Sequence, residues 1–238
     1  KLVEQAGFKN RNIDLMSALP GQTIESYEDT LSKVLALEPE HISAYSLILE
    51  EGTVFYDWYE KGKLDRGVWK LPSEEEEYAM GELTILRLAE AGMHRYEISN
   101  YAKQGKECRH NLGYWDRTEY LGIGAGSSSL IKGERFDHIR DRKAYIEKIR
   151  NGESILIDRE ILSVESQMEE FMYLGLRKVE GVSRTDFQNY FGKNVDDVYG
   201  KILDKLEEEQ LLEFSGDRIR LTHRGMDVSN CVLAEFLF

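Results

Sequence analysis

The chain has 238 residues, 41% of them apolar and 11% aromatic, which is the composition of a globular protein with one large domain or two smaller ones. Its 31 basic and 44 acidic residues give a net charge of −13, which disfavours binding to nucleic-acid phosphates or to anionic membranes. Cys108 and Cys231 form neither a CxxC pair nor a disulfide framework, and the sequence has no signal-peptide pattern and no apolar run of about 18 residues, so we expect a soluble, cytoplasmic protein.

The first part of the chain alternates strands and helices. Residues 1–8 have the pattern of the last turns of a helix closed by Gly7, with no initiating Met, so we expect a piece of a longer protein. A strand, a turn that ends in the N-cap Thr23, a helix and a near-continuously apolar strand are predicted next, at residues 12–16, 19–23, 24–37 and 41–49. Two parallel strands alone do not make a stable sheet, so they need neighbours from a preceding region or from later elements.

A helix, a strand and a long loop follow. The helix is predicted over 73–91, because Ser73 and Glu76 form a capping box and Gly92 ends the pattern. Residues 95–101 alternate enough to predict a strand. The next 20 or so residues read as a loop that contains Cys108–Trp115, and loops of about that length inside domains are usually functional or disordered. The aromatic residues of this loop argue against disorder.

The pattern changes near residue 164. Three helices, two hairpin strands and a final helix are predicted at residues 165–177, 183–190, 195–209, 211–214, 218–221 and 224–238. Helices followed by a hairpin indicate a winged-helix unit. We therefore expect two domains, at residues 1–160 and 161–238.

The segment from Cys108 to Trp115 groups several side chains that are able to bind a metal ion or a planar cofactor. An imidazole (His110), an amide (Asn111) and two aromatic rings (Tyr114 and Trp115) follow a thiol within eight residues. Imidazole and thiolate are normal ligands of haem iron, and aromatic rings offer flat apolar contact to a macrocycle. The alternative is structural: His110 and Asn111 satisfy backbone groups while Tyr114 and Trp115 fill the core.

Several motifs together resemble one family. They are Tyr96-Glu-Ile-Ser-Asn-Tyr-Ala102, His110-Asn-Leu-Gly-Tyr-Trp115, Tyr120-Leu-Gly-Ile-Gly-Ala-Gly126 and Leu19-Pro-Gly-Gln-Thr23. In this order they resemble the HemW family of haem chaperones, which are radical S-adenosylmethionine proteins similar to oxygen-independent coproporphyrinogen III oxidase. The resemblance spans essentially the whole chain, and the His-Asn-x-x-Tyr-Trp motif is its most specific part.

The resemblance implies an α/β fold: the C-terminal part of a partial (β/α)6 radical S-adenosylmethionine barrel, followed by a winged-helix-like α+β domain. It also implies a Cys-x3-Cys-x2-Cys motif for a [4Fe-4S] cluster in the full-length protein. This sequence has no such triad, and such a cluster needs three thiolates from one loop. We therefore expect this chain alone not to cleave S-adenosylmethionine.

The resemblance further implies two sets of binding residues. Asp14, which strand alternation places opposite Ile13 and Leu15 and hence inside a barrel, is expected near S-adenosylmethionine, together with Ile48 on the next strand. A carboxylate there needs a partner, and the alternative is a structural hydrogen bond to a neighbouring turn. His110 is the expected iron ligand and Cys108 a candidate second ligand, while Asn111, Tyr114 and Trp115 are expected to shape the haem pocket.

Three other functions compete with haem transfer. The first is radical oxidative decarboxylation of coproporphyrinogen III, which shares the fold, although the oxidases are not marked by the His-Asn-x-x-Tyr-Trp motif. The second is a protein-interaction scaffold without a cofactor. The third is DNA binding, which the acidic side chains of the predicted helix 195–209 oppose. The expected partners are haem and a haem-acceptor protein, which includes a membrane-associated one, and no nucleic acid.

A glycine-rich segment follows the His-Asn-x-x-Tyr-Trp motif. Gly122-x-Gly124-x-Gly126 lacks the spacing of a dinucleotide-binding loop, so we expect a turn or close backbone packing there. Ser127–Ser129 follows, where the resembled family usually has Ala-His-Ser.

Overall fold

The computed structural model describes residues 2–237. The chain divides into two compact units between Cys108 and Arg109. The division into domains at residues 1–160 and 161–238 stays a prediction, and Lys1 and Phe238, at its two ends, lie outside the described residues. No helix within residues 2–237 is both long and apolar enough to cross a lipid bilayer.

The first unit alternates helices and strands as the sequence predicts. Its helices are α1 (Leu2–Gln5), α2 (Ile24–Leu35), α3 (Val54–Glu60) and α4 (Glu74–Glu90), with a 3-10 turn at Gly67–Trp69. Its strands are β1 (Asn12–Ser17), β2 (His41–Ser46), β3 (His94–Arg95) and β4 (Asn100–Ala102). They form one sheet in the order β1-β2-β4-β3, in which β1 and β2 are parallel and the other pairs antiparallel. The later strands therefore supply the neighbours that β2 needs.

Local sequence explains where the helices begin. Thr23 caps α2 and Ser73 caps α4, and each forms the capping box with the residue three positions later. The helices cover one face of the sheet, and the core between them contains Leu15, Tyr27, Leu31, Ile42, Met80, Leu88, Met93 and Tyr101. Because side chains alternate along a strand, the opposite face carries Asp14 and Met16 of β1 and Tyr45 of β2, all three exposed.

Two predicted strands are shorter in the structure. The strand predicted over 95–101 is broken into β3 and β4, because the buried carboxylate of Glu97 accepts hydrogen bonds from the Ser99 amide and the Asn100 side chain and so closes a turn. The strand predicted over 41–49 ends at Ser46. Its partner β1 stops one residue before Ala18, which adopts φ +56 and turns the chain away.

The second unit contains helices α5 (Arg109–Trp115), α6 (Arg142–Asn151), α7 (Val164–Gly175), α8 (Arg184–Phe191), α9 (Val195–Glu208), α10 (His223–Asp227) and α11 (Ser229–Ala234). Its strands are β5 (Ser128–Ile131), β6 (Glu134–His138), β7 (Leu156–Ile161), β8 (Val182–Ser183), β9 (Leu212–Ser215) and β10 (Arg218–Leu221). Strands β5, β6 and β7 form an antiparallel sheet, and a second sheet has the order β8-β10-β9.

The three helices and hairpin predicted from residue 164 are confirmed as α7, α8, α9 and β9–β10, which is a winged-helix arrangement with the short strand β8 added. The single helix predicted over 224–238 is wrong. It is two short helices, α10 and α11, separated at Val228, whose φ of −110 and ψ of 27 lie outside the helical range.

Candidate functional site

The segment predicted as a loop is partly helical, which corrects that prediction. Residues Arg109–Trp115 form α5, and because positions four apart share one side of a helix, His110 lies beside Tyr114 and Asn111 beside Trp115. The helix ends at Trp115, and two residues later Arg117 takes φ +54 while the Thr118 amide donates to the Gly113 carbonyl at 2.8 Å. Seven residues are too few for a helical period to be recognised in the sequence.

The first pair forms part of a row of three aromatic rings. The His110 and Tyr114 rings meet edge to face with centroids 4.8 Å apart, and Tyr114 meets Tyr120 in the same way at 4.8 Å. The backbone of Tyr120 is held in place, because it exchanges hydrogen bonds of 2.9 and 3.0 Å with the backbone of Leu130. Burial raises the pKa of the Tyr120 hydroxyl, against the opposing charge of Arg135.

His110 lies at the accessible end of this row. Its side chain is exposed, and its ring nitrogens have no hydrogen-bond partner among residues 2–237. Within the same residues no three His, Cys, Asp or Glu side chains converge on a point where they could hold a metal ion. An axial bond to haem iron needs only one such side chain.

The other side of α5 is anchored to the winged-helix elements. The Arg177 guanidinium lies over the Trp115 ring, 4.5 Å from its centroid, and the indole Nε1 is shielded without a hydrogen-bond partner among the described residues. Asp116 next pairs with the buried Lys178. Trp115 also lines a pocket of about 210 Å³ in the second unit, together with Phe171 and Tyr190.

A buried carboxylate strengthens the same anchor. Glu170 on α7 is 4% exposed and accepts hydrogen bonds from Arg117 at 3.0 Å and from Arg135 at 2.6 Å. Because Arg117 lies two residues after the end of α5, this triad fixes the turn that follows the helix. The Trp115 side of α5 is thus packed within the second unit, whereas the His110 side chain is exposed.

Cys108 belongs to the first unit and precedes α5 in sequence. Its thiol is free and half-buried, and its backbone amide donates to the Tyr96 hydroxyl at 3.2 Å. Glu107, one residue earlier, is held by His94 at 2.9 Å. The buried ring of His41 contacts the Tyr96 hydroxyl at 2.8 Å, and burial lowers the pKa of His41 against the opposing charges of Asp14 and Glu107.

The two residues expected near S-adenosylmethionine also lie in the first unit. Asp14 projects from the sheet face opposite the helices, as strand alternation predicts, and accepts a hydrogen bond of 2.6 Å from the Asn12 side chain. Ile48 is 74% exposed and follows β2 rather than lying on it. Near the end of β1, Gly21 takes φ +78 and a Cβ there would lie 2.2 Å from the Val68 carbonyl oxygen, so this turn requires glycine.

The glycine-rich segment is a turn with close packing, as predicted. A Cβ at Gly122 would lie 2.2 Å from the Ser128 carbonyl oxygen, and β5 rather than a helix begins at Ser128. The buried His138 on β6 contacts the Ser127 hydroxyl through Nδ1 at 2.9 Å.

Sequence reasoning did not single out four residues of these arrangements: Tyr120, Arg177, His41 and Tyr96. Tyr120 and Tyr96 stand inside motifs that carry the family resemblance, and this was the only available signal for them. His41 and Arg177 acquire their roles through contacts 55 and 62 residues away in sequence, which a linear pattern does not reveal.

Comparisons with known proteins agree with these motifs. Residues 162–228 match the family model of the HemN C-terminal domain. The chain is 40% identical over 233 residues to the heme chaperone HemW of Bacillus subtilis and 39% identical over 235 residues to that of Lactococcus lactis. These alignments cover 98% and 99% of this chain and 60% of each relative, so the chain spans about three-fifths of the length of these relatives.

A solved structure shows the same fold. Coproporphyrinogen III oxidase (HemN) from Escherichia coli, described as a radical SAM enzyme, matches with a TM-score of 0.78 at 20% identity, over 98% of this chain and 56% of that one. At that identity the likeness concerns the fold alone. With the fold of the C-terminal part of HemN and 39–40% identity to two HemW proteins, the chain belongs to the HemW family.

Proposed function

We propose that the protein represented by this chain binds haem and delivers it to an acceptor protein, and that α5 presents the ligand of the haem iron. The observation that carries the proposal is the exposed imidazole of His110, which stands edge to face with Tyr114 and has no hydrogen-bond partner among residues 2–237. A neutral imidazole nitrogen is a common axial ligand of haem iron. The name heme chaperone, borne by the HemW relatives, supports haem as the cargo.

The residues around His110 have different roles in the proposed haem site. Tyr114 sets the plane of the imidazole and offers ring surface to the porphyrin, and Tyr120 supports Tyr114 from behind. Trp115 holds the helix in place through Arg177 instead of stacking on the haem. Asn111 lies on the Trp115 side of α5, and its contact with haem stays a prediction.

The second ligand and the cellular setting also stay predictions. Cys108 has a free thiol, and thiolate is a known haem ligand. Replacing Cys108 with serine tests this role through the absorption spectrum of the bound haem. We also keep as predictions a cytoplasmic location, a membrane-associated acceptor and the absence of nucleic-acid partners.

We also propose that Asp14 and Ile48 contribute to an S-adenosylmethionine site of the full-length protein. The exposed Asp14 carboxylate suits the positively charged groups of that cofactor, and the exposed Ile48 side chain and backbone suit its apolar parts. When bound, S-adenosylmethionine and the [4Fe-4S] cluster supply radical chemistry. The cysteine triad for the cluster is absent from these 238 residues, so we expect this chain alone to leave S-adenosylmethionine intact.

A hemin titration of the chain, followed by Soret absorbance, tests the haem proposal. We expect His110→Ala to weaken hemin binding by at least about tenfold, which corresponds to roughly 1.4 kcal/mol. His223→Ala, at another exposed histidine of the second unit, is the matched control and should bind like the parent chain. Equal affinity of the His110→Ala variant and the control would remove His110 from the proposed role.

The alternative function is oxidative decarboxylation of coproporphyrinogen III, which rests on the fold shared with HemN. A shared fold does not fix the reaction, and the identity of this chain to the HemW relatives is twice its identity to HemN. An assay of the reconstituted full-length protein for protoporphyrinogen separates the two functions. Sustained turnover would favour the oxidase.

A further inference from the structure

A continuous chain of hydrogen bonds crosses the first unit from Asp14 to Cys108. The Cys108 amide donates to the Tyr96 hydroxyl at 3.2 Å, and this hydroxyl lies 2.8 Å from Nε2 of His41. Nδ1 of His41 lies 2.6 Å from Oδ1 of Asn12, and Nδ2 of Asn12 donates to Asp14 at 2.6 Å. The two central rings, His41 and Tyr96, are 6% and 8% exposed, so water competes little for these bonds.

The chemistry of the two ends fixes the direction of every bond. An ionised carboxylate only accepts hydrogen bonds, so Asn12 must turn its NH2 group towards Asp14 and its carbonyl oxygen towards His41. Nδ1 of His41 must then carry the proton, which leaves Nε2 as an acceptor for the Tyr96 hydroxyl. The Tyr96 oxygen keeps a lone pair for the amide of Cys108. A neutral His41, which burial favours, meets these requirements with one ring proton.

We infer that His41 and Tyr96 are positioning residues, which hold the backbone of Cys108 through a hydrogen-bond chain whose direction is set by Asp14. This hydrogen-bond chain joins Asp14, which the sequence predicts for S-adenosylmethionine, to Cys108, which it predicts for haem. Cys108 lies one residue before α5 begins. The importance of this positioning for haem rests on the proposed function. The bond directions do not depend on it.

Contacts beside the hydrogen-bond chain support the same arrangement. The Ser43 hydroxyl donates to Oδ1 of Asn12 at 3.3 Å, which satisfies the same carbonyl oxygen in the orientation inferred for it. His94 holds Glu107 at 2.9 Å, so the segment that leads to α5 is fixed at two successive residues. The Cys108 amide has the Tyr96 hydroxyl as its acceptor, so removal of that hydroxyl leaves the amide open to solvent exchange.

Nuclear magnetic resonance of the 238-residue chain with ¹⁵N-labelled histidine tests the direction without any substitution. We expect the ring of His41 to be in the Nδ1-protonated tautomer, and an Nε2-protonated ring would overturn the inference. Asp14→Asn, whose side chain is able both to donate and to accept, should raise the Nε2-protonated fraction. An unchanged tautomer in this variant would show that Asp14 does not set the direction.

Amide hydrogen exchange tests the far end of the chain. We expect Tyr96→Phe to lower the protection of the Cys108 amide at least about tenfold. Tyr101→Phe is the matched control, because Tyr101 is buried in the core on the other face of the sheet, and it should change this protection less than about twofold. Unchanged protection in Tyr96→Phe would overturn the positioning role.

A hemin titration of Tyr96→Phe separates this inference from the proposed function. A weaker or spectrally shifted complex, with Tyr101→Phe unchanged, supports positioning of the haem site, and an unchanged complex refutes it. If the parent chain binds no hemin, the proposed function fails, and the tautomer and exchange results alone decide whether the hydrogen-bond chain exists as inferred.

Discussion

Truncation of Trp115 tests whether this residue anchors α5 or binds haem. Replacing a fully buried tryptophan by alanine costs about 3–5 kcal/mol, and the partial exposure of Trp115 lowers the expected loss to about 2–3 kcal/mol. The Arg177 guanidinium, 4.5 Å from the ring centroid, accounts for about 0.5–2 kcal/mol of this loss. Trp115→Ala should therefore lower the free energy of unfolding by about 2–3 kcal/mol.

Urea denaturation followed by circular dichroism measures this loss, and a double-mutant cycle with Arg177→Met isolates the contact between the two side chains. We expect a coupling energy of about 1 kcal/mol. Trp69→Ala, at a tryptophan that is 53% exposed in the first unit, is the control and should cost less than about 1 kcal/mol. A loss below about 0.5 kcal/mol for Trp115→Ala, with greatly weakened hemin binding, would refute the anchoring role.

Three further predictions concern stability. Gly21→Ala should cost at least about 2 kcal/mol in chemical denaturation, because the new Cβ would lie 2.2 Å from the Val68 carbonyl oxygen and φ is +78. Glu170→Gln should cost about 2–4 kcal/mol, because the loss of this buried charge leaves Arg117 without its carboxylate partner. The pKa of His41 is lowered in the folded chain, so the unfolded chain binds more protons as the pH drops through the unfolded pKa of about 6.5, and the folded state loses stability. His41→Gln should therefore reduce the loss of stability between about pH 7 and 5.

Matched variants control each of these predictions. Gly52 also has a positive φ, of +84, but has open space around it, so Gly52→Ala should cost less than Gly21→Ala by the steric part. Glu165→Gln, at an exposed position of α7, and His223→Gln, at an exposed histidine, should leave stability and its pH dependence nearly unchanged. Equal effects of a test variant and its control would contradict the corresponding explanation.

The sequence predicts the regular elements well where local signals are strong. The capping box of Ser73 places the start of α4, and the turn at Gly216 separates two hairpin strands as expected. It fails where a local turn interrupts a predicted strand. The buried carboxylate of Glu97 closes a turn that splits one strand, and β2 ends at Ser46, which pairs with the last residue of β1 before the left-handed Ala18.

The candidate site is predictable in identity but not in geometry. The motif from His110 to Trp115 is visible in the sequence, but the helix that it forms is too short to be detected by periodicity. The sequence therefore does not show that His110 and Tyr114 lie on a different side of this helix from Trp115. That separation assigns different roles to residues that a linear motif treats as one group. The role of Tyr120 depends on its pairing with Leu130, which only the folded chain reveals.

We propose His110 as a ligand of the haem iron. Resonance Raman spectroscopy of the hemin-loaded chain after reduction detects the iron–histidine stretching band directly. We predict that the parent chain and the His223→Ala control show this band and that His110→Ala lacks it. A band that persists unchanged in His110→Ala would contradict the claim.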